Sequence, residues 1–128
     1  MRFPKPGRCK RNKYGAVRTG DGFPSKLEAA VHQILLLREK AGEIQAIKRQ
    51  ASVDLGFGIR WKVDFCFIQC ASGDVCYAEA KGRWTADAAL KLRMWRNGAI
   101  QAPLEIWQGN YRKPELVEIV KPRQTRDD

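Results

Sequence analysis

Apolar residues recur at helical spacing near the start of the chain, from about Ser25 to Ala41. This spacing predicts an amphipathic helix, and the apolar positions that carry it are Leu27, Ala30, Val31, Ile34, Leu35 and Ala41. Ser25 is expected to cap the first turn, with Glu28 in the reciprocal position of a capping box. Gly42 is expected to end the helix.

Strand patterns follow this helix. Residues 44–55 predict a first strand, and two glycines at 56 and 58 predict a turn. From Ile59 to Ile68 apolar and polar residues alternate, which is typical of a half-buried strand. The apolar set is Ile59, Trp61, Val63, Phe65 and Phe67, and the polar set is Arg60, Lys62, Asp64 and Cys66. Trp61 is therefore expected in the core.

The second half of the chain predicts a returning strand and a second helix. A turn at 71–74 leads into a strand from Val75 to Lys81, and Thr85 is expected to cap a helix that runs to about Asn97. Residues 104–107 predict a short last strand, and 114–120 predict one or two helical turns. The order α-β-β-β-α-β predicts a single α/β domain, with a mixed sheet flanked by helices.

The ends of the chain differ in composition from its centre. Residues 1–20 contain no acidic residue, and glycines and prolines interrupt them, which predicts a basic flexible arm. Its cations are Arg2, Lys5, Arg8, Lys10, Arg11, Lys13 and Arg18. The alternative is a disordered terminus without a role. The folded domain is expected over 21–120, and residues 121–128 are expected to form a polar tail.

The net charge narrows the class of partner. The 128 residues contain 24 Lys and Arg against 14 Asp and Glu, so the formal charge is +10. This excess favours nucleic acid as a partner, ahead of an acidic membrane surface; the alternative is a basic surface that is merely solvated. No apolar run approaches the roughly 18 residues of a membrane span, and no signal peptide is visible. The expectation is a cytoplasmic protein with no membrane partner.

The four cysteines predict neither a zinc module nor disulfides. Cys9, Cys66, Cys70 and Cys76 show no Cys-x-x-Cys pair. In a cytoplasmic protein they are expected to be reduced. Because three of them lie in or beside predicted strands, small buried thiols are the favoured interpretation.

Candidate chemistry centres on the segment Glu79-Ala80-Lys81, which ends a predicted strand. Two residues apart, Glu79 and Lys81 share a strand face, and Asp64 lies on the polar face of the preceding strand. Two carboxylates held close together repel unless a cation or a proton lies between them. Mg²⁺ is a suitable cation, and Mn²⁺ is expected to be able to substitute for it. The alternative is surface ion pairing of Asp64 with Lys62 or Arg60, and of Glu79 with Lys81.

Four further residues have competing interpretations. From the capping box alone, Glu28 is favoured as a helix cap. His32 lies one turn further along the same helix, and a lone histidine there is more often packed or solvated than catalytic. Trp84 follows Lys81-Gly82-Arg83 and either borders a substrate or packs on the surface. Lys91, on the second helix, is a candidate to reach the cleft or belongs to a solvated face.

These motifs, in this order, resemble the PD-(D/E)XK nuclease superfamily: Ser-x-x-Glu at 25–28, Val63-Asp64-Phe65, and Glu79-Ala80-Lys81-Gly82. Segments 13–15, 21–29 and 41–44 further resemble a family of small phage-borne endonucleases related to phage endonuclease I, a Holliday-junction resolvase. The resemblance spans about residues 13–108. Val63 stands where the superfamily name has a proline, which is often absent.

The resemblance implies a restriction-endonuclease-like core and a role for each motif residue. Asp64 and Glu79, with the carbonyl of Ala80, are then the Mg²⁺ ligands. Lys81 orients or activates the attacking water and stabilises charge on the phosphate. Glu28 becomes a third catalytic acid and a possible metal ligand, a role compatible with capping.

The implied function is an Mg²⁺-dependent DNA endonuclease acting on branched DNA such as Holliday junctions, leaving a 5′-phosphate and a 3′-hydroxyl. A homodimer is implied, and no small-molecule cofactor beyond the metal is expected. The expected DNA-binding residues are Arg8, Lys10, Arg11, Lys13, Arg83, Trp84 and Lys91. Two alternatives remain open: a nicking or double-strand endonuclease with less structural preference, and a non-catalytic basic DNA-binding module.

Overall fold

Residues 25–122 form one small α/β domain in the computed structural model, which describes this part of the chain. The elements in chain order are α1 (Lys26–Lys40), β1 (Ile44–Gly56), β2 (Ile59–Gln69), β3 (Val75–Ala80), α2 (Ala86–Met94), β4 (Leu104–Asn110) and β5 (Lys113–Val120). The predicted basic arm (1–20) lies outside the described residues, as does the predicted tail beyond residue 122.

The five strands form one mixed sheet in the order β1-β2-β3-β4-β5. β3 and β4 are parallel, and the other neighbouring pairs are antiparallel. The parallel pair requires a crossover connection, which α2 provides. The predicted single α/β domain with a mixed sheet is therefore confirmed.

Both helices begin at the predicted caps. Ser25 Oγ accepts the Glu28 N–H at 3.0 Å, and Thr85 Oγ1 accepts the Ala88 N–H at 3.1 Å. The second helical segment reaches the predicted end near Asn97, because α2 continues beyond Met94 as a π-helical turn over Trp95–Ala99, in which Gly98 has a non-helical φ of 99°. Trp95 is fully buried there, and its indole N–H donates to the Ala102 carbonyl at 2.9 Å.

The prediction of helical turns at 114–120 is wrong, because this segment is the edge strand β5. Its apolar residues also fit a helical spacing, which explains the error. Three of them, Val117, Ile119 and Val120, are β-branched and favour a pleated surface. Asn110 holds the tight turn before β5, since its Oδ1 accepts the N–H groups of Arg112 and Lys113 at 2.9 and 3.1 Å.

The sheet packs against two apolar clusters, one on each face of β3 and β4. The α1-side cluster contains Ala78 and Trp107, whereas the α2-side cluster contains Leu104 and Ile106 together with Trp95. Neighbouring residues on a strand point to opposite faces, so the two clusters lie on opposite sides of the sheet.

β2 contributes to both clusters although its buried residues alternate without interruption. Trp61 and Val63 belong to the α2-side cluster, while Phe65 and Phe67 belong to the α1-side cluster. The change falls at Asp64. The strand therefore twists past the sheet at this residue, and the outer half of the β1–β2 hairpin packs beside the π-helical turn. Trp61 is buried, as predicted.

The thiols follow the prediction in part. Cys76 is buried and Cys66 half-buried, but Cys70 is exposed because it lies in the turn beyond β2. All three are free. Within residues 25–122, no helix has the length and apolar character needed to cross a membrane.

Candidate active site

Asp64 and Glu79 lie where β2 and β3 stop pairing. The last paired residues at this end are Phe65 and Ala78, and the two acids are the next residue on each strand. Asp64 Oδ2 accepts the N–H of Ala80 at 2.9 Å, so a side chain replaces the next backbone acceptor of the ladder. The two acids therefore converge as the strand alternation predicts, and Asp64 is oriented by a backbone donor.

Glu28 joins this pair from the first turn of α1. Its side chain is only 2 % exposed, and its Oε1 accepts a hydrogen bond from Gln50 Nε2 at 3.0 Å. Its Oε2 has no hydrogen-bond partner in the part of the chain that the structure describes. The carboxyl group therefore does not make the reciprocal capping-box bond, and the capping of α1 rests on Ser25.

The environment raises the pKa of two of these acids. Burial is the largest cause for Glu28 and for Glu79, and the neighbouring Asp64 carboxylate is the next. Together they raise the pKa of Glu28 to about 9 and that of Glu79 to about 10. Nearby cations, Arg49 for Glu28 and Lys81 for Glu79, lower each pKa by a smaller amount. Without a cation between them, both groups are protonated at neutral pH.

A third buried acid shows what an ordinary structural carboxylate looks like in this fold. Glu105, on β4, receives two hydrogen bonds from Arg38 Nη1 at 3.0 and 3.1 Å and one from the Trp107 indole at 3.1 Å. By contrast, Glu28 Oε2 and Glu79 Oε2 are buried with no hydrogen-bond donor among residues 25–122, and the side chain that each carboxyl group meets is another acid, Asp64. Buried polar atoms are normally paired, so these two oxygens require an explanation.

Lys81 lies two residues after Glu79, just beyond the end of β3. Its backbone N–H donates to the Trp107 carbonyl at 2.9 Å, which fixes the chain just beyond β3. The side chain is half-buried, and its charge acts on Glu79 as stated above. The predicted proximity of Glu79 and Lys81 is thus present, beside a buried carboxyl group and not in an exposed surface pair.

Three of the seven residues predicted to contact DNA lie within the described range, and their surroundings differ. Arg83 is exposed, but Trp84 is half-buried against the α2-side cluster and lines a cavity of ≈ 400 Å³ with Leu92 and Ile106. Lys91 pairs with Asp87 at 3.1 Å one turn away on α2, which accounts for its charge locally. The contacts expected from the arm, at residues 8, 10, 11 and 13, lie outside the described range.

His32 is packed. Its ring stacks on Phe65 with centroids 5.6 Å apart and planes 10° from parallel. This arrangement matches the more ordinary of the two interpretations given to a lone histidine.

Gln50 and Arg49 are site neighbours that the sequence pattern does not reveal. Gln50 lies on β1 between two residues paired with Phe65 and Val63, and so stands opposite Asp64. Its backbone has a φ of 57°, a left-handed conformation uncommon for any residue other than glycine. Strained backbone of this kind is found most often at functional sites. In the sequence, Gln50 is distinguished only as an amide side chain within a predicted strand.

The cluster is a set of acids and not a finished coordination sphere. Within residues 25–122, no group of three or more His, Cys, Asp and Glu side chains is arranged to hold a metal ion. What the arrangement does provide is three carboxyl groups at one point, two of them buried with an unpartnered oxygen. Such a group can take up protons, or a hard cation in their place.

The chain was compared with protein-family models, with curated proteins and with solved structures, and none matches it. The function of the protein is therefore inferred from its motifs and from the geometry of the acids.

The raised pKa values predict that the metal-free protein loses stability as pH rises. Between the unfolded value near 4.5 and the folded values of about 9 and 10, the folded state keeps protons that the unfolded state has released. Each group then lowers the free energy of unfolding by at most about 1.4 kcal/mol per pH unit in that window. Urea unfolding in EDTA between pH 6 and 9 measures the slope.

The variant Glu79→Gln removes one of the two titrating groups and should make this slope shallower. Glu39→Gln, which removes an exposed carboxyl group from α1, is the matched control. Equal slopes for the wild type and Glu79→Gln would contradict the assignment of a proton to Glu79.

Proposed function

We propose that this protein is a metal-dependent DNA endonuclease that hydrolyses phosphodiester bonds. The observation that carries the proposal is the convergence of Glu28, Asp64 and Glu79, with two buried oxygens left unpartnered, beside Lys81. An acid cluster is an unusual feature in a chain of net charge +10. A polyanionic substrate accounts for the basic surface, and a cation for the acids.

The proposal includes a specific fold, the restriction-endonuclease-like core. A helix that carries an acid, followed by an antiparallel hairpin and a parallel β3–β4 pair, is compatible with a restriction-endonuclease-like core. In that assignment the acids stand at the end of β3, where the strands separate. The fifth strand, β5, is then an addition at the edge of the sheet.

The acids fit a hard divalent cation such as Mg²⁺ or Mn²⁺. Asp64 and Glu79 would hold it, with the carbonyl of Ala80 and with Glu28 as the further oxygen donors. The unpartnered Oε2 atoms of Glu28 and Glu79 are the oxygens whose burial a cation would offset. When bound, the cation supplies Lewis-acid stabilisation of charge on the phosphate.

The protein groups have separate tasks in the proposed hydrolysis. The Ala80 N–H fixes the Asp64 carboxylate, and Gln50 fixes Glu28, so two of the acids are oriented before substrate arrives. Lys81 places a positive charge where negative charge develops on the phosphate. Water attacks phosphorus and the bond to the 3′ oxygen breaks, leaving a 5′-phosphate and a 3′-hydroxyl.

Branched DNA is the proposed substrate, and a homodimer the proposed assembly, in the cytoplasm. A four-way junction presents two equivalent strands, which a two-fold dimer matches. The decisive assay compares cleavage of linear, flapped and four-way DNA with Mg²⁺ and with EDTA. Metal-dependent cutting without preference for the branched substrates would support the less selective endonuclease, and binding without cutting would support the non-catalytic module.

Asp64→Asn should abolish cleavage while DNA binding is kept or strengthened, because the change removes negative charge from the site. Asp74→Asn, at the exposed turn before β3, is the matched control and should cut like the wild type. Cleavage rates and fluorescence anisotropy on the same DNA measure both properties. Wild-type cleavage by Asp64→Asn would show that the active site lies elsewhere.

Lys81→Ala should lower the cleavage rate at saturating DNA by about 10²-fold or more, the scale of losing one electrostatic stabiliser. Lys81→Arg should rescue poorly, since a planar fork replaces a compact charge. Lys40→Ala removes an equal charge from the exposed last turn of α1 and controls for net charge. Full single-turnover activity in Lys81→Ala would make this lysine a bystander.

Glu28→Gln should give a stable but inactive protein, because glutamine keeps the acceptor for Gln50 and loses the charge that a cation needs. Ser25→Ala is the opposite case. It removes the cap of α1, at a cost of about 1 kcal/mol, and leaves the acids in place. Thermal unfolding together with a cleavage assay separates the two; an active Glu28→Gln protein would return Glu28 to a structural role.

A further inference from the structure

The turn between β1 and β2 places an aromatic residue where hairpins rarely have one. Gly56 pairs with Ile59, so Phe57 and Gly58 are the two central residues of the turn. Their φ angles are 55° and 75°. Positive φ at both positions is the requirement of a type I′ turn, which strongly favours asparagine, aspartate or glycine at the first position.

No burial of the Phe57 side chain within the described domain offsets the strain of its positive φ. Its side chain is 100 % exposed, so it buries no apolar surface. A bulky residue with positive φ is strained, and such strain persists chiefly at functional sites. Phe57 is therefore unfavourable for the stability of the isolated domain in two ways, and asparagine would fit the turn better. This points to a contact outside the domain.

The support beneath Phe57 is anchored. Val53, Leu55 and Trp61, on the two strands of the hairpin, are buried in the α2-side cluster. Trp61 meets Trp95 edge to face, with ring centroids 5.9 Å apart. At the turn itself, Asp54 Oδ1 accepts the Gly56 N–H at 2.8 Å. The aromatic ring is thus presented at the end of a fixed hairpin.

Two basic side chains lie on β2 between Asp64 and this turn. Arg60 and Lys62 are exposed and alternate with the buried Trp61 and Val63, so they share the strand face of Asp64. Asp64 lies seven positions beyond Phe57 in the chain. At about 3.3 Å per residue along a strand, the turn lies about 20 Å from the acids. This corresponds to about six nucleotides at about 3.4 Å per nucleotide.

We propose that Phe57 stacks on an unpaired base of the DNA, an inference that rests on the proposed function. At the spacing of duplex DNA, this base lies about six nucleotides from the phosphate that is cut. Arg60 and Lys62 contact the phosphates between. An exposed ring binds any base through its π face, so the contact is sequence-tolerant. It requires an open base step, which a gap or a branch point offers and an intact duplex does not. Phe57 thereby becomes a determinant of structural selectivity.

The test uses the full chain with Asp64→Asn, so that the DNA remains intact. The probes are an intact duplex and the same duplex with a short single-stranded gap that contains 2-aminopurine. Phe57→Leu keeps apolar surface and removes the π face, and Phe57→Trp keeps the π face. Phe57→Leu should weaken binding to the gapped probe by about tenfold, the scale of losing one stacked base. Phe57→Trp should bind normally, and neither change should affect the duplex.

A second measurement excludes a merely structural role. Phe57→Asn should raise the thermal midpoint of the free protein by a few degrees, because it relieves the strained turn. The same variant should lose the preference for the gapped probe and the quenching of 2-aminopurine. A lower thermal midpoint for Phe57→Asn would show that Phe57 serves the fold and would overturn the inference.

The remaining outcomes separate this inference from the proposed function. Equal loss on both probes, or no loss in Phe57→Leu, would overturn the stacking contact even if the wild type cuts DNA with Mg²⁺. If the wild-type protein never cuts DNA, but Phe57→Leu weakens binding to the gapped probe, the proposed nuclease activity is overturned and the stacking contact stands. A change in oligomeric state in Phe57→Leu, by light scattering without DNA, would assign the turn to contact between copies and overturn the inference.

Discussion

The arrangement of this domain depends on three acids that are held together at the point where β2 leaves β3. Burying carboxyl groups side by side is unfavourable unless a proton or a cation compensates. In the metal-free protein the compensation is protonation, since the pKa of Glu28 is raised to about 9 and that of Glu79 to about 10. Glu105 shows that the same fold can instead supply an arginine. At Glu28 and Glu79 the nearby cations, Arg49 and Lys81, lower the pKa only in part, so burial and the Asp64 carboxylate prevail.

The position of the acids follows from how β2 is divided. On one side of Asp64 the strand packs against α1, and on the other it packs beside Trp95. The twist at this residue separates β2 from β3, and the freed Ala80 N–H is taken by the Asp64 carboxylate. Packing on both sides thus holds the acids at a gap in the sheet. The outer half of the β1–β2 hairpin thereby leaves β3 and packs against Trp95 of the π-helical turn.

Much of this could be predicted from local pattern. The alternation from Ile59 to Ile68 was sufficient to place Asp64 on a polar face, and the two-residue spacing did the same for Glu79 and Lys81. The capping box, by contrast, gave the role of Ser25 correctly and that of the Glu28 side chain wrongly. A local motif shows which bond a side chain can make, but a long-range neighbour, here Gln50, decides which one it makes.

The remaining features were hidden because they depend on long-range packing. The left-handed backbone of Gln50 belongs to an irregular strand, and no spacing of apolar residues encodes it. In β5, a helical spacing of apolar residues competed with their β-branched character, and pairing with β4 decided the outcome.

The protonated acids and Phe57 are alike in physical terms. Each is a feature that lowers the stability of the isolated domain and that an ordinary substitution would relieve. Local rules of folding describe the sequence well except at such places, where a residue is better suited to a partner than to its own chain. The acids are suited to a cation, and the exposed ring is suited to a base. Asp64, the acid of this cluster that lies on β2, and Phe57, in the turn that precedes β2, have Arg60 and Lys62 between them in the chain. A polyanion that lies along this strand would meet the acids with their cation, the two basic side chains and the aromatic ring at once. One partner would thus account for all three features.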